Sequence, residues 1–503
     1  EGGGPFTNEG AGGENYNTLS YVIESSLEPG VIYTGSDCGL VYLTRDNGTN
    51  WENITPKDLP ESLIHSIEVS PHDPGTAYIT ATRYKFNDMH SYTYKTENYG
   101  KSWKKINLGI SNDNFLKVIR EDLKVSGLLY GGSEHGFYVS FNGGALWEQL
   151  QLNLPIVPIT DLKINDNDLV AATAGRAFWI FDDLAPFQGM AMKNKSLDLA
   201  LFVPKPTVRF SSFRPSWRDV PPGVGANPMN GVVLNWYLND TLASDEVLKL
   251  EILDESDTVI RVYTNKKDTE HQAYPGGPAA PVVIPSEKGI NRFAWDFRTN
   301  SLSGVKGVYV YGSYAGRQVA PGNYKARLTL GERSVEQDIQ LQPDPRVTIP
   351  EAEWKEQQQM LMDITNQIED IHQTVEKVGQ LKLRIEFYKG QLEDKKGMEK
   401  LVNAGDDLLD KLDSWEANII EKRTKNGQDV INWPSQLNVE FFNLKGGVDA
   451  HFPKVTEGVK QRFKDLSARW EQEKIALDAI MNQEVTTFNQ LFDELNIRAL
   501  MID

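Results

Sequence analysis

One octapeptide pattern comes back three times between Ile32 and Trp147, and it limits what this chain can fold into more than any bulk property does. It reads T-R-D-N-G-T-N-W at Thr44 to Trp51, T-E-N-Y-G-K-S-W at Thr96 to Trp103, and S-F-N-G-G-A-L-W at Ser140 to Trp147. Each copy places a hydroxyl residue first, Asp46, Asn98 or Asn142 two on, Gly48, Gly100 or Gly144 two further, and Trp three after that. These offsets suit a tight turn: the Asp/Asn oxygen closes onto nearby N–H groups, Gly takes positive φ, and Trp opens the next strand and covers the turn. The tryptophans stand 52 and 44 residues apart, about the length of one four-stranded propeller blade.

The flanking residues alternate as strands, with turn signals every 8 to 12 residues or so. The first blade reads as Ser20 to Glu24, Val31 to Thr34, Leu40 to Thr44 and Trp51 to Ile54, and two more follow the same scheme. A fourth, from I-T-D-L-K-I to F-W-I-F-D-D, lacks the turn and stops at Asp182 to Pro186. Residues 1–189 are therefore expected to form about four blades. Propellers close with about four to eight, so an N-terminal remainder of the same protein is expected to supply more. The Gly-rich polar start, E-G-G-G-P-F-T-N-E-G-A-G-G-E-N, has no apolar stretch of a signal peptide and fits the same expectation of a longer protein.

Residues 190–230 read as a Pro-rich connector whose Arg209, Arg214 and Arg218 are expected to pin it by stacking and ion pairs. Short alternating strands over 231–345 read as an immunoglobulin- or fibronectin-like β-sandwich. Over 346–503 the period changes. Trp354, Leu361, Ile364, Ile368, Ile371, Val375, Val378, Leu381 and Ile385 fall at three-and-four spacing, and further stripes begin at Leu401, Val455 and Val485. That stretch is expected to be a helical bundle or hairpin. The fold class is thus multidomain, mainly β, with an α-helical C-terminal domain.

Acidic residues outnumber basic ones, 70 to 52, for a net charge of −18, the wrong sign for nucleic-acid binding. No apolar run of about 18 residues predicts membrane insertion, and the single cysteine, Cys38, excludes an internal disulfide. Neither H-E-x-x-H, a Cys pair, G-x-S-x-G nor a Walker loop occurs, so no catalytic residue, metal or cofactor is expected. The Asp-type turns repeat once per blade, which marks them as structural. Variable loops on the opposite face collect Asp37, Cys38, Arg83, Tyr84, Asp88, His90, Glu134, His135 and Arg176. These are candidates for an anionic or sugar-like ligand, since an Arg fork pairs bidentately with carboxylates; the alternative is ordinary solvated loop charge. His72, in S-P-H-D-P-G, reads as fixing its own turn.

The three turns resemble the Asp-boxes, or neuraminidase repeats, of sialidases and sortilin-type propellers. The stretches S-L-E-P-G-V-I-Y-T-G-S-D-C-G, S-P-H-D-P-G-T-A-Y-I-T-A-T-R-Y, L-V-A-A-T-A-G-R-A-F-W-I-F-D-D-L and A-P-G-N-Y-K-A-R-L-T-L are similar to large bacterial sortilin-like repeat proteins often labelled glycosyl hydrolases. The resemblance implies an exported protein, periplasmic, outer-membrane-associated or extracellular, that binds other proteins or peptides, an envelope complex being one such setting. Its alternative implication is a sialidase-like glycoside hydrolase, for which Asp37, Asp88 and Glu134 are the candidate carboxylates. No sialidase residue set can be matched here position by position. Asn50 and Leu146 depart from the Thr or Ser usual before the box tryptophan, and these departures are expected to weaken their turns.

Overall fold

A computed structural model describes residues 17–192, 198–210 and 229–495. The chain divides into two compact units, Glu1–Asp198 and Leu199–Asp503.

Unit 1 is a row of small antiparallel sheets. The first contains Leu19–Glu24 (β1), Ile32–Ser36 (β2), Val41–Thr44 (β3) and Glu52–Asn53 (β4), and the second Leu63–Val69 (β5), Ala77–Arg83 (β6), Asp88–Thr96 (β7) and Lys104–Lys105 (β8). The third contains Leu116–Glu121 (β9), Leu129–Ser133 (β10), Gly136–Ser140 (β11) and Glu148–Gln149 (β12). The fourth has three strands, Ile159–Asn165 (β13), Asp168–Thr173 (β14) and Phe178–Phe181 (β15), followed by helix α1 at Ala185–Met192. In every sheet neighbouring strands follow chain order, as in propeller blades.

Blades stack face to face through apolar side chains. Tyr33, Val41, Leu43 and Ile54 of the first meet Ile64, Ile67 and Ile79 of the second. Burial of such surface stabilises by about 25 cal/mol per Å², and this interblade packing is the main source of unit 1's stability.

Each Asp-type turn has the same hydrogen bonds. The hydroxyls of Thr44, Thr96 and Ser140 donate to Asp46, Asn98 and Asn142 at 2.8, 3.1 and 3.0 Å. They accept the N–H of Gly48, Gly100 and Gly144 at 2.9, 2.9 and 3.0 Å. The same Asp/Asn oxygen accepts the N–H of Asn50, Ser102 or Leu146 at 2.8, 2.9 and 2.9 Å. A backbone donor suffices at that last position. Leu146 therefore closes its turn as Ser102 does, and the weakening expected from its side chain does not show in the geometry. The turn is also tied to the first hairpin of its blade, because the N–H groups of Asn47, Tyr99 and Gly143 donate to the carbonyls of Gly30, Gly75 and Gly127.

Unit 2 opens with strands Leu199–Leu201 (β16) and Thr207–Arg209 (β17), inside the stretch read from the sequence as a connector. Arg214 and Arg218 lie outside the described residues. The Arg209 side chain is 3% exposed. Its guanidinium lies 4.7 Å over the Trp354 ring and donates to the Val319 carbonyl at 2.6 Å. The stacking is as expected, but the polar partner is a carbonyl.

Further along are Val232–Leu238 (β18), Leu248–Leu253 (β19), Val259–Thr264 (β20), Gly289–Trp295 (β21), Gly322–Leu330 (β22) and Arg333–Pro343 (β23). They form a three-stranded sheet, β16-β18-β21, and a five-stranded mixed sheet, β17-β23-β22-β19-β20, in which β17 and β23 are parallel. Trp236, Trp295, Leu250, Leu328 and Ile339 contribute to one core shared by the two sheets.

The helical region contains Glu351–Leu392 (α2), Glu399–Ala417 (α3), Leu437–Val448 (α4), Glu457–Ile480 (α5) and Thr486–Glu494 (α6). A wider π turn at Met481–Val485 joins the last two. The sequence stripe of α2 from Trp354 through Ile385 is buried, except that Leu381 is only partly so, and Gln357, His372 and Leu392 are buried as well. Helix α4 was not foreseen. Its Leu437, Val439, Phe441 and Phe442 are buried in the same core. None of the described helices is long and apolar enough to cross a membrane.

Candidate functional site

The variable-loop face is built on the connections between second and third strands. In the second blade this connection is a short 3-10 turn, Tyr84–Phe86, closed by Asn87 at φ 55°. That left-handed residue sends the chain back so that Arg83 and Asp88 meet. Asp88 accepts from Arg83 Nη1 at 2.6 Å and from the Tyr92 hydroxyl at 2.8 Å, and His90 Nδ1 lies 2.8 Å away. Burial opposes ionisation of Asp88, but the hydrogen bonds from His90, Tyr92 and Arg83 outweigh it and hold its pKa down at about 2. Arg83 also donates Nε to the Glu61 carbonyl at 2.9 Å. Its Nε and Nη1 thus both bond within the protein.

A second group sits at the neighbouring blade. Tyr84 stacks on Phe115 with ring centroids 6.4 Å apart, and Lys117 lies 6.0 Å from the same ring. Lys117 pairs with Glu134 at 2.5 Å. Burial, then the Lys117 charge, pushes the His65 pKa down. The His135 N–H donates to Asn114 Oδ1 and Ser133 Oγ, both at 3.2 Å. Arg176 is exposed and donates Nη1 to the Gly175 carbonyl at 2.9 Å. Asp37 accepts the Asn17 N–H at 2.9 Å, and the Cys38 sulfur lies 3.1 Å from Ser36 Oγ. The structure therefore joins Arg83, Asp88 and His90 in one cluster, and links Tyr84 to Glu134 through Phe115 and Lys117.

A third cluster escaped the sequence reading. The first strands of the blades carry Ile23, Glu68, Arg120 and Lys163 at matching register, opposite Tyr33, Tyr78, Tyr130 and Val170. Arg120 is the hub. It reaches Asp161 at 2.7 Å, the Tyr21 hydroxyl at 3.3 Å, Glu68 at 3.4 Å and the Leu162 carbonyl at 2.8 Å. One guanidinium thus ties together residues of all four blades. Burial pushes the Glu68 pKa up to about 7, against the pull of Arg120 and of the Glu121 N–H. The available signal was a charged residue inside or at the end of each apolar run: I-E-V, V-I-R and L-K-I.

His72 does more than hold its own turn, since its Nε2 lies 2.7 Å from the Asp122 carbonyl of the next blade. Among the described residues no group of three or more His, Cys, Asp or Glu side chains is placed to hold a metal ion.

No protein-family model matches the sequence, and no curated protein matches it. Solved structures do show similarity. One is YCF48 bound to D1 peptide, at 18% identity, covering 33% of this chain and 52% of that one, with a TM-score of 0.27. Another is YCF48 from Cyanidioschyzon merolae, at 14% identity over 64% of this chain and 96% of that one, TM-score 0.27. A third is the GH74 xyloglucanase from Xanthomonas campestris, at 16% identity over 44% of this chain and 36% of that one, TM-score 0.29. The chain thus spans about half the length of the first. Similarity at this level does not extend to activity.

Proposed function

We propose that this chain is a protein- or peptide-binding component of an envelope assembly, exported as its sequence resemblance implies. Its blades, an immunoglobulin- or fibronectin-like pair of sheets and its helices would serve as docking modules. One observation supports this best. Trp103 and Trp147 each donate the indole N–H to a carbonyl of the preceding blade, Ile54 at 2.6 Å and Ile106 at 2.8 Å. Trp51, in the same place on the first blade, bonds among the described residues only back to Gly48 at 3.1 Å and is 45% exposed. An exposed indole of this kind offers apolar surface to a partner, and a protein or peptide of the assembly is the proposed occupant. Affinity capture from envelope fractions with wild-type protein and with Trp51→Glu tests the reading. A partner retained by wild type and lost by the variant is expected; equal retention, or no partner, would count against it.

A further inference from the structure

Among the described residues the fourth blade ends one strand short. In the first three, the outer strand pairs with the two residues that follow the box tryptophan: Leu43 with Glu52 and Tyr42 with Asn53, Lys95 with Lys104 and Tyr94 with Lys105, Val139 with Glu148 and Tyr138 with Gln149. The next residue then donates its N–H to that strand, Ile54 to Val41, Ile106 to Thr93 and Leu150 to Phe137, at 2.9, 2.9 and 2.8 Å. In the fourth blade the matching edge is Phe178, Trp179 and Ile180 of β15. The chain itself turns away from that edge. Asp183, at φ 67°, donates its N–H to Asp168 Oδ1 at 2.6 Å, and Leu184 donates to the Asn167 carbonyl at 2.9 Å, leading into α1. Phe178 and Ile180 are left 75% and 59% exposed.

The missing box has also left a hole. Trp147 of the third blade clusters with Ile106, Ile110, Leu129 and Tyr138, and packs against Gly131. By sequence offset and strand register, the counterparts one blade on are Leu150, Leu154, Leu169, Trp179 and Ala171. All five line an apolar pocket that is partly open to solvent. The cavity therefore occupies the seat of a box tryptophan that this blade does not have.

We propose that the fourth blade takes this strand from another polypeptide, as an extended Trp-x-x-Ile or Trp-x-x-Leu segment. The indole fills the cavity against Leu150 and Leu169. The two middle residues pair along Ile180 and Trp179, and the last residue donates its N–H to the Phe178 carbonyl. Strand addition of this kind takes affinity from main-chain bonds and specificity from a side-chain pocket. This seat is separate from the Trp51 face, and the proposal stands or falls without it.

A fluorescein-labelled synthetic peptide copying Thr96 to Asn107 is the probe, read by anisotropy against the full chain. Saturable binding is expected. A peptide with Trp replaced by Ala should bind at least tenfold more weakly. So should one N-methylated at the amide that corresponds to Ile106, which removes the donor to Phe178. Both peptide changes leave the protein untouched, so a misfolded variant cannot imitate the result. Ala171→Leu, which fills the cavity, should lower affinity by a similar factor while retaining the wild-type circular dichroism spectrum. No binding at millimolar peptide, or binding indifferent to both peptide changes, overturns the proposal. Self-association of the chain that the peptide competes away would overturn it too, by assigning the seat to a second copy.

Discussion

The Trp103 indole N–H donates to the Ile54 carbonyl across 49 residues of sequence, at 2.6 Å, and so locks the second blade to the first. Gly100 of the same turn sits against the Ile54 side chain. A motif that looks local, eight residues closing on themselves, is therefore also the fastener between successive blades. Trp147 and Gly144 repeat both contacts on Ile106.

The three tryptophans should accordingly differ in energetic weight. Trp147 is 2% exposed and Trp51 is 45% exposed. Trp147→Ala is expected to cost unit 1 about 3–5 kcal/mol, as for other large buried aromatics. Trp51→Ala should stay within about 1 kcal/mol while the face is uncovered. Urea denaturation of both variants, followed by far-ultraviolet circular dichroism, gives the comparison; equal losses would contradict the fastener role.

Glycine substitutions separate the turn from the fastener. Gly48 and Gly100 both have positive φ, +88° and +79°. A Cβ on Gly100 would come within 2.6 Å of Ile54, whereas on Gly48 it would find nothing nearer than its own Trp51 at 3.8 Å. Both Gly→Ala changes carry the same backbone strain, on the order of 1 kcal/mol. Gly100→Ala should lose more stability than Gly48→Ala by the added clash, measured as a difference in denaturation midpoint.

Glu68 should give unit 1 an unusual pH dependence. Its pKa is raised from 4.5 to about 7 by burial, so the folded state holds a proton that the unfolded chain has released. The stability linked to it is full below about 4.5 and is lost as pH rises through about 7. A loss of about 1–3 kcal/mol between pH 5 and pH 8 is expected, and Glu68→Gln should flatten that slope. Asp88 acts in the opposite sense in a lower window: its contribution is full above 3.8 and is lost as pH falls toward about 2. Melting curves at pH 3, 5 and 8 for wild type, Glu68→Gln and Asp88→Asn distinguish the two.

What the sequence showed and hid follows from how far apart the interacting residues lie. The Asp-type turns were legible because their hydrogen bonds span two to four residues, so spacing alone encodes them. Helices α2, α3, α5 and α6 were legible because one face is apolar at a helical period. Helix α4 was not, since L-N-V-E-F-F-N-L-K-G-G-V carries too many apolar residues to show a stripe and its paired glycines read as a loop. The Arg83–Asp88 pair depends on one left-handed residue, Asn87, which no periodicity announces. The Arg120 hub needs four strands drawn from four blades, and its partner Tyr21 is 99 residues away. Only the blade stacking makes it a cluster.

His372 should make unit 2 sensitive to mild acid. His372 of α2 is 2% exposed, and its ring lies 5.7 Å from that of Phe442 and 6.2 Å from that of Tyr314. Its Nδ1 lies 2.8 Å from the Ser303 carbonyl, which fixes the proton on that nitrogen, and the buried Nε2 has no hydrogen-bond partner. Burial holds its pKa below 6.5, against smaller opposing effects of the Ser303 carbonyl and of Glu369. The folded state therefore takes up fewer protons than the unfolded chain below pH 6.5. The sign is the reverse of that at Glu68: stability is full above 6.5 and falls as pH drops below it. Hydrogen exchange of peptides from the middle of α2 should speed up between pH 7 and pH 5, after correction for intrinsic rates. His372→Gln, which cannot become charged, should remove that dependence, and a variant that kept it would assign the acid response to another group.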